Sequence, residues 1–273
     1  LQPRASFWRC CVMSKFSDWN DLRSRLISAL FLLFVSGVCI YVGGYFFTLF
    51  IILLVGVMHW ELGKMLSPMS KQAMWFSAIL SIIVTFYLVG SQSPVWSLLI
   101  LLVNFFFQKI FFHHNSNFGA LYSAAIIICG IVFYKVRMEY GLLHTVWLIG
   151  IVVVTDTAGY VIGRTVGGPK VFPRISPKKT WSGVLAGWLA VGIFSWSFVG
   201  NVAPQNLFFT FVSISILLSV AAQIGDMIQS HLKRKSAVKD SSNLLPGHGG
   251  FMDRFDGFIG ATVVTGLVFE WIY

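Results

Sequence analysis

Residues 73–90 (AMWFSAILSIIVTFYLVG) and 206–225 (NLFFTFVSISILLSVAAQIG) carry no charged side chain. A helix of such a length crosses a hydrocarbon layer about 30 Å thick, and similar runs recur along the chain. Soluble domains carry about a quarter charged residues; here charged residues are 11% and hydrophobic ones 56% of 273, with 26 Phe and 10 Trp. The chain therefore reads as an all-α polytopic integral membrane protein.

Nine spans are predicted, at 24–42, 45–63, 73–90, 94–112, 117–134, 141–163, 183–200, 206–225 and 257–273, with turn residues such as Gly43-Gly44 and Ser93-Pro94 between them. With the N-terminus in the cytoplasm, alternation places eighteen of the twenty Lys and Arg inside, leaving only Lys135 and Arg137 outside. The net charge of +10 is thus read as loop charge of a membrane protein and not as a nucleic-acid surface. An odd span count puts Tyr273 on the far side. Three regions follow: a cytoplasmic segment 1–22, N-terminal helices over 23–140, and a catalytic membrane region over 141–273 with cytoplasmic loops 164–182 and 226–256. Residues 1–12 precede Met13-Ser14-Lys15 and are expected to be an extension without function. Cys39 and Cys129 lie in apolar runs and read as small core residues.

Residues 230–256 (SHLKRKSAVKDSSNLLPGHGGFMDRFD) break the apolar pattern with five cations, three carboxylates, two histidines and three glycines. Asp226, Ser230 and Lys233 stand at i, i+4 and i+7 and share a helical face. Asp253 and Asp256 precede the last span at the same predicted depth, so two helix ends can bring Asp226 and Asp253 together. Clustered carboxylates repel unless a cation sits between them, and hard oxygen ligands without cysteine favour Mg²⁺. Lys233, Arg234, Lys239 and Arg254 suit phosphate oxygens, and Gly247-His248-Gly249-Gly250 is a tight backbone that phosphates can approach. Simple charge pairing within a basic loop is the competing account.

The loop at 164–182 points the same way. Asp156 falls within or near the hydrocarbon, where an ionisable group is a functional candidate, or else a helix-packing aspartate. Gly159 and Gly163 are spaced for close helix approach. Ser176, Lys178, Lys179 and Thr180 offer two cations and two hydroxyls to an anionic headgroup or a triphosphate. His59-Trp60-Glu61 reads as an interfacial belt, His113-His114 as an interfacial pair, and Lys135, Arg137 and Glu139 as an exposed outer loop.

The insert resembles the signature of phosphatidate cytidylyltransferases (CDP-diglyceride synthases), S-x-apolar-K-R-x4-K-D-x-small-x2-apolar-P-x-H-G-G-apolar-x-D-R-apolar-D. Ser230, Lys233, Arg234, Lys239, Asp240, Ser242, Leu245, Pro246, His248, Gly249, Gly250, Asp253, Arg254 and Asp256 fill its fixed places. Thr155 through Thr180 is also similar to the family, with Ala158-Gly159 where members often carry Gly-Ala and Ser182 where they often carry Glu. The resemblance covers about 150–273. It implies CTP plus phosphatidic acid giving CDP-diacylglycerol and pyrophosphate with Mg²⁺, in phospholipid synthesis at the cytoplasmic face of a bacterial inner membrane. Asp226 and Asp253 are then the metal ligands, with Lys233, Arg254 and Asp256 also catalytic. Asp156, Ser176, Lys178, Lys179, Thr180, Ser230, Arg234, Lys239, Asp240, His248, Gly249 and Gly250 are the expected substrate contacts. A second, monovalent cation and a homodimer stay open. A CTP-dependent lipid kinase is the alternative, and an ion-coupled transporter using Asp156 a remoter one.

Overall fold

The structure, a computed structural model, describes residues 29–67, 70–91, 93–112, 116–173, 175–245 and 249–272. Within them lie α1 (Ala29–Val42), α2 (Gly44–Leu66), α3 (Lys71–Gly90), α4 (Pro94–Phe111), α5 (Ser116–Glu139) and α6 (Leu142–Thr165). After a hairpin of β1 (Lys170–Phe172) and β2 (Ser176–Thr180) come α7 (Trp181–Trp196), a 3₁₀ turn at Gln205–Leu207, α8 (Phe208–Lys235) and α9 (Met252–Ile272). The expectations for residues 1–12 and for His113-His114 fall outside the described residues.

Among the described residues, six helices are long and apolar enough to cross a membrane: α2 to α6, and α8 with its preceding 3₁₀ turn. α1 and α7 are shorter apolar helices. The exterior is apolar, with Phe31, Phe34, Tyr45, Trp96, Ile110, Leu189 and Ile193 exposed, a surface suited to lipid. Some buried polar side chains pair across helices: the Trp147 indole N–H donates to Ser215 at 3.2 Å, and Thr155 meets Ser219 at 2.7 Å.

Glycine sets the closest approaches. On α6, Gly159 and Gly163 lie directly against Gly183 of α7, as their spacing predicts; a Cβ on Gly163 would stand 3.4 Å from the Gly183 Cα. Gly225 of α8 meets Gly260 of α9 in the same way. α9 packs on α8, α5, α6 and α2, which places its first turn at the middle of the bundle's polar end.

Two sequence expectations change. The polar stretch 164–182 contains an antiparallel hairpin, with Lys170 opposite Thr180 and Phe172 opposite Ser176. Arg137 is not in an exposed loop. It ends α5, and its guanidinium donates to the carbonyls of Ile40 at 2.6 Å and Tyr41 at 3.0 Å, satisfying the last turn of α1.

Candidate active site

The hairpin, the C-terminal part of α8, the first turn of α9 and the described residues of the loop 236–251 converge at one end of the bundle. Thr180 ends β2 and caps α7, its hydroxyl accepting from the Gly183 N–H at 3.3 Å and lying 3.0 Å from the Ser182 hydroxyl. Ser182 donates to the Gly167 carbonyl and ties the hairpin to its root. These bonds fix the strand that carries Lys179.

Lys179 reaches from the hairpin to α8, placing its ammonium 2.6 Å from an Asp226 oxygen and 3.4 Å from the Gln223 carbonyl. Ser230, one turn beyond Asp226, donates to the other Asp226 oxygen at 3.2 Å. Asp156 lies within electrostatic range of both Asp226 and Lys179. The two polar segments recognised in the sequence thus meet at Asp226.

Lys233 shares the predicted face of Asp226 but turns to α9, pairing with Asp253 at 2.8 Å; the two side chains are only 12% and 7% exposed. Asp253 also accepts from Gln229 at 3.0 Å, from the Ser241 N–H at 2.8 Å and hydroxyl at 3.0 Å, and from the Gly250 N–H at 3.1 Å. Burial opposes its charge, yet Lys233 and the N–H groups of Ser241 and Gly250 outweigh that and hold its carboxyl below the usual aspartate range. Gln229 is itself held by the Tyr122 hydroxyl of α5 at 2.7 Å. Gln229 stands three residues, about 4.5 Å of helix rise, beyond Asp226, so Asp253 is about one turn from Asp226 along the α8–α9 seam.

Asp256 is the third carboxylate on that seam, in the turn before α9 becomes apolar. One of its oxygens accepts from the Gly257 N–H at 2.8 Å. Burial first, and then the charge of Asp226, push its carboxyl up to about 8. Between about pH 4 and about pH 8 the folded chain thus keeps a proton that an unfolded aspartate has lost. This group makes the metal-free fold less stable as pH rises through that window, and the loss is complete above the folded value. Thermal unfolding in detergent with a chelator should show that slope, and Asp256→Asn should flatten it.

The remaining expected residues line the rim or lie in the loop. Lys178, Arg234, Lys239, Asp240 and Arg254 are exposed and Ser176 is half-buried at the start of β2. His248 falls outside the described residues. Gly249 adopts φ +81°, a left-handed conformation that glycine favours, with its carbonyl accepting from the Leu245 N–H at 2.9 Å. The Gly250 N–H is engaged by Asp253, and a Cβ at Gly250 would run into the Ser241 hydroxyl and the Glu61 carboxylate.

Sequence reasoning missed Glu61. It is completely buried in α2 and accepts from the Ser241 hydroxyl at 3.1 Å, the Ser242 hydroxyl at 2.5 Å, and the N–H groups of Phe251 at 2.8 Å and Met252 at 2.7 Å. An acid inside a membrane helix was itself the signal, masked by Trp60 and Lys64 beside it. His59 is equally buried, its ring nitrogens bonded to Val55 O and Ser123 Oγ, so neither residue belongs to an interfacial belt.

Among the described residues, no three acidic, histidine or cysteine side chains stand close enough to hold an ion alone. Carboxylates from two helix ends, flanked by ammonium groups, instead form a site that a polyphosphate can complete. Residues 23–272 match the Cytidylyltransferase family, and the chain belongs to that family. It is 41% identical over 125 residues to the phosphatidate cytidylyltransferase of Brucella suis, which is 46% of each chain. It is 43% identical over 110 residues to that of Rickettsia bellii (38% of this chain, 48% of the relative) and 34% identical over 165 residues to that of Bacillus subtilis (59% and 61%). The matched segment spans about half the length of the first two relatives.

Proposed function

We propose that this chain transfers the cytidylyl group of CTP to phosphatidate, forming CDP-diacylglycerol and pyrophosphate at the cytoplasmic surface of a bacterial inner membrane. Family membership and the names of the relatives support the reading. The observation that carries it is the Lys179–Asp226 bridge, which joins two polar segments at one end of an apolar bundle. There a water-soluble nucleotide and a lipid with buried tails can meet.

A phosphatidate oxygen attacks the α-phosphorus of CTP in line, the bond to the bridging oxygen of the β-phosphate breaks, and pyrophosphate leaves with that oxygen. The nucleophile is already an anion, so no serine or cysteine intermediate is required. The chain's task is to hold two polyanions together. Lys179 and Lys233 stand inside the site, with Lys178, Arg234, Lys239 and Arg254 around it to offset phosphate charge. Asp226 and Asp253 would hold Mg²⁺, with Asp256 beside them; such a cation shares one or two carboxylates with substrate phosphates and water, and would neutralise developing phosphate charge. Lys179 and Lys233 now occupy those carboxylates, standing where positive charge is wanted. Ser230 then orients Asp226, Thr180 and Gly250 brace the backbone, and Asp156, Ser176, Asp240, His248 and Gly249 complete the substrate contacts.

The same reading takes nine spans, the N-terminus inside and Tyr273 outside, with 23–140 as supporting helices and 141–273 as the catalytic region. On that reading the Glu61 bonds to Ser241 and Met252 lie at the inner face and the Arg137 bond to the end of α1 at the outer one. The test is CTP labelled in the cytidine ring, supplied with phosphatidate and Mg²⁺ to the detergent-solubilised chain. Label in chloroform-extractable lipid with release of pyrophosphate is expected. Release of CDP with no labelled lipid would identify a lipid kinase instead.

A further inference from the structure

We infer that Glu61 is a positioning residue for the reaction, a clasp on α2 that sets the 236–251 loop over the carboxylates. The inference rests on the functional reading above and extends it into the N-terminal helices, to which the signature assigns no role. Ser241 and Ser242 lie on the inbound arm of the loop, and Phe251 and Met252 on its outbound arm. The Glu61 carboxylate accepts from the Ser242 hydroxyl and both N–H groups, shares the single Ser241 hydroxyl proton with Asp253, and so holds both arms together. Two of these donors are backbone N–H groups at the start of α9, where a helix presents unsatisfied N–H groups and a positive dipole end.

The clasp acts through Asp253. The Ser241 hydroxyl lies 3.1 Å from Glu61 and 3.0 Å from Asp253, and the Ser241 N–H donates to the same Asp253 oxygen. Gly250, whose N–H binds Asp253, is packed so tightly on Glu61 that a Cβ there would stand 2.8 Å from a carboxylate oxygen. Moving Glu61 therefore moves two of the groups that aim Asp253. Among its described residues the loop has no regular secondary structure between α8 and α9 apart from an isolated bridge, so its shape there depends on such tertiary bonds.

The experiment compares the full-length chain with Glu61→Gln, Glu61→Asp and Ser242→Ala in detergent. Glutamine keeps the size of Glu61 but turns one acceptor into a donor that faces other donors. Glu61→Gln is expected to speed trypsin cleavage after the exposed Lys239 about tenfold and to lower kcat about tenfold, the loss of one charge-assisted bond, with the KM for phosphatidate within about twofold. Glu61→Asp, which remains an acceptor, recovers part of both. An unchanged cleavage rate, or loss of yield with an unchanged kcat per folded molecule, overturns the inference. If Glu61→Gln does not fold, Ser242→Ala must show both effects in weaker form, and overturns the clasp if it shows neither. If the wild-type chain makes no labelled lipid, the functional reading falls, and the cleavage rates alone decide whether Glu61 holds the loop.

Discussion

Asp226→Asn and Asp253→Asn are each expected to lower the proposed cytidylyl transfer by about a hundredfold or more, by different routes. Removing one partner of a buried ion pair such as Lys233–Asp253 costs about 3–5 kcal/mol, losing a charge-assisted bond at the more open Asp226 about 1.5–3 kcal/mol, and each 1.36 kcal/mol is tenfold in rate. At Asp226 the loss should fall on chemistry: the Lys179 bridge goes, the Ser230 bond weakens, and the proposed cation would lose a hard ligand. The protein should remain folded, because Asp226 and Lys179 are partly open to water, with side chains 27% and 24% exposed. At Asp253 the same change strips one oxygen from a group that accepts from Lys233, Gln229 and two backbone N–H groups, and leaves Lys233 buried without its anion. That variant should lose thermal stability as well as turnover. Measuring turnover across a Mg²⁺ titration together with the unfolding temperature separates the two. Near wild-type rates in either variant would remove that residue from the site.

The second large effect belongs to a residue with no chemistry. Gly225→Ala should cost about 1–3 kcal/mol or more, as overpacking does, and lower the unfolding temperature by several degrees. The new Cβ would lie 2.6 Å from the Asp256 carbonyl oxygen, 2.8 Å from the Gly260 nitrogen and 2.9 Å from the Gly260 Cα. All three are backbone atoms and cannot swing aside, so α8 and α9 must part at the level of the carboxylates. Turnover should fall about a hundredfold, since a misplacement of about 1 Å is enough for that. Gly192→Ala is the control: its Cβ would meet only Ile216 and Val212 side chains, at 3.7 and 4.0 Å, and both stability and rate should hold. Equal losses in the two variants would show that helix approach at Gly225 does not set the site.

Much of this arrangement was legible in the sequence because it follows local rules. Apolar runs marked the helices, and the small residues at 159 and 163 marked a close helix pair. The continuation of α8 into the polar insert, needed to carry Ser230 and Lys233, followed from the spacing. Non-local choices were not legible. Lys233 shares a face with Asp226, but Lys179 arrives there from a hairpin 47 positions earlier and leaves Lys233 to Asp253. Nothing in a stretch of turn residues and lysines announces the pairing of Lys170 with Thr180. Glu61 finds its donors 180 to 191 positions away, beyond the range of any periodicity. Arg137 was read from polarity as outer loop, yet its partners are the carbonyls that end α1.

The hairpin's anchorage bears on how binding energy is used. Lys179 is carried by a strand braced at Thr180 and Ser182 and closed by the Trp181 N–H on the Pro169 carbonyl at 3.1 Å. A cation so mounted has little freedom left to lose when an anion arrives, whereas a lysine on a slack loop would surrender conformational entropy at that moment. On the proposed reading, attraction for phosphate can then go into drawing the two substrates toward each other instead of into ordering the protein.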